Sequence, residues 1–300
     1  MANRRLIDDG TVALLENRDL NIRSLMDGLF GGGRRSAYFG SSMEFADYRP
    51  YIPGDDLRRI DWNLYGRLDK LYVKLFTDER RQHHRVYVDC SASMAWGEPE
   101  KHLTALRLAA LIGYLAVSGT DRVSWYALER TSCRRVTDAV SNRDTWVLGL
   151  ERLGALRCGG DTRMDVSVMK CSDPGWHDGV SFLISDFLTE RNWKAAVDWL
   201  LSRKREVCLI RVLSRDEIGP SLSGRLFLND TEAVGEDDER NRRMEIGRQR
   251  LRAYAEAFEW LENDIRSFCD KRRVRFLTVP TDVPMTKILY EGMIRSEMFQ

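Results

Sequence analysis

Residues 85–94 read Arg-Val-Tyr-Val-Asp-Cys-Ser-Ala-Ser-Met. The first half, Arg85 to Asp89, has the short apolar, β-branched and aromatic character of a buried strand. Just past it, Asp89, Ser91 and Ser93 place a carboxylate and two hydroxyls at alternating positions, so that three oxygens can turn toward one point. Oxygen-only donors of this kind suit Mg²⁺ or Mn²⁺. Zn²⁺ would instead favour His and Cys.

Outward from this stretch the chain alternates between strand and helix. Strands are expected at 85–89, 122–128, 179–185, 206–213 and 273–279, with a short antiparallel edge strand near Cys133 to Val136. Helices are expected near 99–118, 142–153, 163–171, 191–203, 248–270 and 284–297. Such alternation predicts an α/β three-layer, Rossmann-like domain: one mostly parallel sheet with helices on both faces. A polar insertion at about 214–246 carries a candidate hairpin, Leu226-Phe227-Leu228 against Met244-Glu245-Ile246, and the charged run Glu236 to Arg243 reads as a solvated loop. In the helix from 248, the apolar spacing of Leu251, Tyr254, Phe258, Leu261, Ile265 and Phe268 predicts a core-facing stripe.

Open parallel sheets bind ligands beyond the C-terminal ends of their strands, where strand order reverses. Asp89 sits at such an end. Two later stretches join it there. Gly159-Gly160-Asp161-Thr162 opens a helix after a loop, and Phe182-Leu183-Ile184-Ser185-Asp186-Phe187 ends an apolar strand on a carboxylate. Asp89, Ser91, Ser93, Thr162 and Asp186 can then converge on one cation. The competing reading is that each of them caps a helix or closes a turn. The order of these residues resembles the metal-ion-dependent adhesion site of von Willebrand factor A domains. That resemblance implies Mg²⁺ or Mn²⁺ held by the five residues, with an open position for a partner's carboxylate and no catalysis. One departure is visible: where the pattern has a Thr directly after the glycines, Asp161 intervenes, so Asp161 is an alternative contact to Thr162.

Upstream, Gly40-Ser41-Ser42-Met43-Glu44-Phe45 is followed by an unbroken signature from Arg49 to Trp62, Arg-Pro-Tyr-Ile-Pro-Gly-Asp-Asp-Leu-Arg-Arg-Ile-Asp-Trp. Arg67, Leu71 to Lys74 and Glu79 continue it. These residues resemble the signature of the DUF58 family, whose members carry a von Willebrand A-like domain. The resemblance implies association with a MoxR-type AAA+ ATPase in maturing or remodelling client proteins. It divides the chain into an N-terminal helix within 1–29, a β-containing but irregular signature segment at 30–80 packed on the A domain, and the von Willebrand A-like domain at 81–300. Within the signature, Arg49, Arg58, Arg59, Asp55, Asp56 and Asp61 are candidates for ion pairs, and Tyr51 and Trp62 for apolar anchors. The segment reads as a structural clasp or a partner-binding surface.

Composition narrows the alternatives. The net charge is +1, with 43% hydrophobic and 31% charged residues, which fits a globular protein and gives no bulk attraction to nucleic acid or membrane. Six scattered cysteines lack zinc spacing and point to a reducing, cytoplasmic setting rather than a disulfide framework. The apolar stretch Leu103 to Val117 contains Arg107 and is too short to span a bilayer. Gly31-Gly32-Gly33 lacks the lysine of a phosphate loop and reads as a turn, and His83-His84 reads as an exposed pair before a strand. The expected function is a cation-dependent, non-enzymatic interaction module. A metal-dependent hydrolase acting on a phosphate ester is the alternative, weakened by the lack of a placed general base.

Overall fold

The computed structural model describes residues 6–7, 11, 43–78, 82–172, 179–188, 193–220, 224–228 and 242–288. The chain forms two compact units, one of residues 33–81 and one of residues 1–32 with 82–300. The expected N-terminal helix within 1–29 and the Gly31–Gly33 turn lie outside the described residues, Leu6, Ile7 and Thr11 apart.

The smaller unit is more regular than its sequence suggested. Strand β1 (Met43–Pro50) pairs antiparallel with β2 (Tyr72–Asp78). A bulge between Phe45 and Asp47 shifts the register, and this shift hides the period-two pattern by which a strand is recognised. Between the strands lies helix α1 (Trp62–Leu68), started by Asp61, whose carboxylate accepts the N–H groups of Asn63 and Leu64.

The larger unit contains, in chain order, β3 (His83–Asp89), α2 (Lys101–Ser118), β4 (Arg122–Glu129), β5 (Ser132–Arg135), α3 (Arg143–Gly154), α4 (Met164–Met169), β6 (Val180–Ser185), α5 (Trp193–Ser202), β7 (Glu206–Leu213), α6 (Arg215–Ile218), β8 (Gly224–Leu228), β9 (Arg242–Ile246), α7 (Arg248–Arg272) and β10 (Arg275–Pro280). Six strands form one sheet in the order β10-β7-β6-β3-β4-β5. All neighbours are parallel except the edge strand β5. The expected hairpin is present as the antiparallel pair β8–β9. Helix is also present at 285–288, and the rest of the expected final helix lies outside the described residues.

One side chain in two along the strands points to each face, and each face is sealed by a separate core. Val86, Val88, Phe182, Ile184 and Ile210 pack under α2 and α3. Tyr87, Leu183, Leu209 and Tyr126 pack under α4, α5 and the C-terminal part of α7. Helix α3 starts on a capping box: Asn142 accepts the Thr145 N–H at 2.9 Å while Thr145 reaches back to the Asn142 N–H. Asn142→Ala is expected to cost about 1 kcal/mol, read as a lower urea midpoint with unchanged slope; no change would show that packing alone fixes the helix start.

Two sequence expectations are corrected. His83 and His84 belong to β3 itself, and His84 is buried. Its Nδ1 accepts the Val180 N–H (3.1 Å), so Nε2 carries the proton and donates to Asp121 (3.2 Å). The stripe of α7 is buried only at Ile265 and Phe268, with Cys269 beside them, whereas Tyr254 is exposed. The reason is length. A helix of 25 residues runs about 37 Å. Strands of 6 to 8 residues run about 20–26 Å. Among the described helices, none is long and apolar enough to cross a membrane.

Candidate divalent-cation site

Strand β3 is the inner strand flanked by β4 and β6, and its last residue, Asp89, is buried. The Asp89 Oδ1 accepts the Ser91 N–H at 2.9 Å and bends the chain off the sheet. Ser91 then precedes a single 3₁₀ turn, Ala92–Ala95, without capping it through its side chain. Its hydroxyl lies instead 3.0 Å from that of Ser93. For this residue, therefore, the helix-cap reading does not hold.

The glycine loop is stitched onto this turn by its backbone. Gly159 N–H donates to Cys90 O at 2.9 Å, and Ala92 N–H to Gly160 O at 2.8 Å. Gly160 has φ +71°, a left-handed backbone conformation that favours glycine. The loop delivers a buried Thr162, whose hydroxyl donates to the Leu128 carbonyl at 3.4 Å and lies near enough to Asp89 to favour its ionised form. A cleft of about 380 Å³ opens beside it, lined by Cys90, Glu129, Arg130, Ser132, Arg157, Cys158 and Gly159. All six cysteines are free thiols.

Four of the five expected residues, Asp89, Ser91, Ser93 and Thr162, are thus brought together. Asp186 is their neighbour, since its charge acts on Asp89, but it is already engaged. Its Oδ2 accepts Lys101 Nζ at 2.7 Å and its Oδ1 accepts the Leu188 N–H at 3.1 Å. Lys101 also donates to Glu217 Oε1 at 2.6 Å. The next residue, Phe187, has φ +50°, a conformation that bulky side chains avoid, and its ring packs on Trp193 at 5.6 Å.

Ser185 was missed from sequence. Its hydroxyl donates to Asp89 Oδ2 at 2.7 Å. The missed signal was register: Val88 pairs with Ile184, so Ser185 follows on the same face as Asp89. Lys101, Glu217 and Arg211 were also missed. Arg211 is fully buried on β7, donates from Nε to the Asp186 carbonyl at 3.1 Å, and lies over Phe258 at 4.8 Å.

Burial pushes the Asp89 carboxyl up to about 6, and the nearby Asp186 charge adds to the rise. The hydrogen bonds from Ser185, Ser91 and Thr162 work in the opposite direction. A carboxylate held uphill in this way is suited to a cation. The hydroxyl spacing fits one as well. Octahedral Mg²⁺ takes oxygens at about 2.0–2.1 Å, so adjacent ligands stand about 3 Å apart, and Ser91 and Ser93 are 3.0 Å apart. Among the described residues no cluster of three or more His, Cys, Asp or Glu side chains forms a metal site, so the donor set rests on hydroxyls.

In the signature segment, Arg49 pairs with Asp55, with Nη1 to Oδ2 at 2.8 Å, and Asp55 also accepts the Ile52 N–H at 2.9 Å. Asp56 accepts the Arg58 N–H at 3.0 Å, while Arg58 itself is exposed. Asp61 is buried and accepts Tyr48 Oη (2.9 Å) and Lys74 Nζ (3.1 Å). The Tyr48 hydroxyl, then Lys74, hold its carboxyl down at about 2. Tyr51 is half-buried and donates its N–H to Leu71 O. Trp62, expected as an anchor, is 62% exposed and meets Tyr65 edge-on at 6.2 Å. It follows Asp61 on the first turn of α1, and it is the carboxylate that points inward.

Two solved structures show a distant likeness to this chain. A von Willebrand factor type A protein from Catenulispora acidiphila superposes with a TM-score of 0.40 at 13% identity, over 87% of this chain and 51% of that one. The match thus spans about half the length of that protein. The VWA domain of SpRpn10 gives 0.39 at 7% identity, over 70% of this chain and 94% of that domain. At these scores the fold rests on the strand order and directions described above. Uncharacterized proteins of Mycobacterium tuberculosis and Mycobacterium bovis are each 27% identical over 232 residues, 76% of this chain and 73% of theirs. The family model described as "Protein of unknown function DUF58" matches residues 47–259, and the chain belongs to that family.

Proposed function

We propose that this protein is a divalent-cation-dependent protein-interaction module, not itself an enzyme, which works with a MoxR-type AAA+ ATPase on client proteins in the cytoplasm. The observation that carries the reading is the pair of serine hydroxyls 3.0 Å apart beside a buried carboxylate at the end of an inner strand. Ser91 and Ser93 would hold Mg²⁺ or Mn²⁺ directly, and Asp89 and Thr162 directly or through water. When bound, the ion supplies Lewis acidity that favours an anionic ligand, such as a partner's Asp or Glu. The chain's own part is to exclude water around Asp89 and to aim the two hydroxyls. The ATPase and client belong to the proposal through the family resemblance.

Two measurements test it together. Calorimetric titration should give one Mg²⁺ or Mn²⁺ per chain. An AAA+ ATPase from the source lysate should be retained on the immobilised protein with Mg²⁺ and released by EDTA. Absence of cation binding, or retention indifferent to EDTA, overturns the reading.

A further inference from the structure

We propose that Lys101 is a tethered counter-cation that occupies Asp186 and thereby sets how tightly the site takes a divalent ion. This rests on the cation-site reading above and deepens it. Lys101 is almost wholly buried, and its ammonium contacts two carboxylates, Asp186 at 2.7 Å and Glu217 at 2.6 Å. It is also the first residue of α2, where the helix dipole opposes a positive charge. A buried ammonium at that position is tolerated because the two carboxylates surround it.

The consequence for the ion is electrostatic. Asp89 and Asp186 together would offset both charges of Mg²⁺. Asp186, however, has one oxygen on Lys101 and the other on the Leu188 N–H. Asp89 is left as the carboxylate facing the ion, and the site in this form is a weak one. Glu217 supplies the alternative resting place. It is anchored to the Ser214 N–H through Oε2 (2.8 Å) and holds Lys101 through Oε1. Lys101 can therefore stay paired with Glu217 while Asp186 turns to the ion. A lysine that merely latched α2 to the end of β6 and to α6 would affect stability without affecting cation affinity.

The experiment is calorimetric titration with Mn²⁺ and Mg²⁺ of the full-length chain as wild type, Lys101→Met and Glu217→Gln, with folding checked by circular dichroism. Lys101→Met is expected to bind at least about tenfold more tightly than wild type. Glu217→Gln is expected to bind more weakly, because Lys101 is then committed to Asp186. Should Lys101→Met not fold, Glu217→Gln decides: weaker binding supports the proposal and unchanged binding overturns it. Equal or weaker binding by a folded Lys101→Met, with wild type binding normally, overturns the role of Lys101 and leaves the cation site standing. Absence of binding in all three proteins overturns both.

Discussion

Asp89→Asn is expected to weaken Mg²⁺ and Mn²⁺ binding by at least about 100-fold and, at pH 7, to make the cation-free protein more stable by about 1–3 kcal/mol. The two effects have one cause. The Asp89 carboxyl titrates at about 6 in the fold, above the ordinary aspartate value, because burial and the Asp186 charge disfavour its ionised form. Between about pH 4 and 6 the folded chain therefore holds a proton that the unfolded chain has released. Stability from this group is complete below pH 4, falls as pH rises to about 6, and stays lower beyond it. An amide keeps an acceptor for the Ser91 N–H, and its NH2 group can donate to Ser185 Oγ in place of the bond that Asp89 Oδ2 accepts, while the buried charge is removed. The gain over wild type should thus fade as pH is lowered toward 4. Urea unfolding at pH 4.5 and 7.5 in EDTA, with calorimetry at pH 7.5, measures both effects. A variant that binds cations like wild type, or is less stable at pH 7.5, would refute the account.

Trp125→Ala is expected to cost about 3–5 kcal/mol, the range for deleting a large buried ring. Trp125 is fully buried on β4 and donates Nε1–H to Ala109 O at 2.9 Å. Glycines on two helices lie flat against it. A Cβ built on Gly113 of α2 falls 2.4 Å from the ring, and so does one on Gly149 of α3. The ring thus sets how closely both helices approach the sheet. Gly113→Ala should accordingly invert the usual helix preference. Alanine in an exposed helix gains about 1 kcal/mol over glycine, but here overpacking should cost about 1–3 kcal/mol. Urea midpoints at pH 7 provide the comparison. A stabilised Gly113→Ala, or a Trp125→Ala loss below 1 kcal/mol, would show that the interface yields where close packing says it should not.

Much of this architecture was legible along the chain, because it follows from short-range periodicity. The apolar runs that lead to Asp89 and to Asp186 are strands, and helices follow them where the 3.6-residue spacing of apolar residues places them. Strand β1 was not legible, since its bulge breaks the alternation. Nor was the exposure of the first part of α7. Its stripe continues past the point where there is sheet to cover, and sequence periodicity carries no measure of where a partner surface stops.

At the site the division is sharper. The sequence by itself determined which residues bring oxygens to the strand ends: Asp89, Ser91, Ser93, Thr162 and Asp186 all stand next to local signals of a strand or a turn. Only the tertiary structure decided which of them are available. Ser185 reaches Asp89 from 96 residues away, and Lys101 reaches Asp186 across 85 and Glu217 across 116. Those contacts depend on strand order, register and the height at which α2 meets the sheet. Charge acts through space rather than along the chain, so a carboxylate that reads from sequence as a free ligand can already be neutralised by a lysine that folding brings to it.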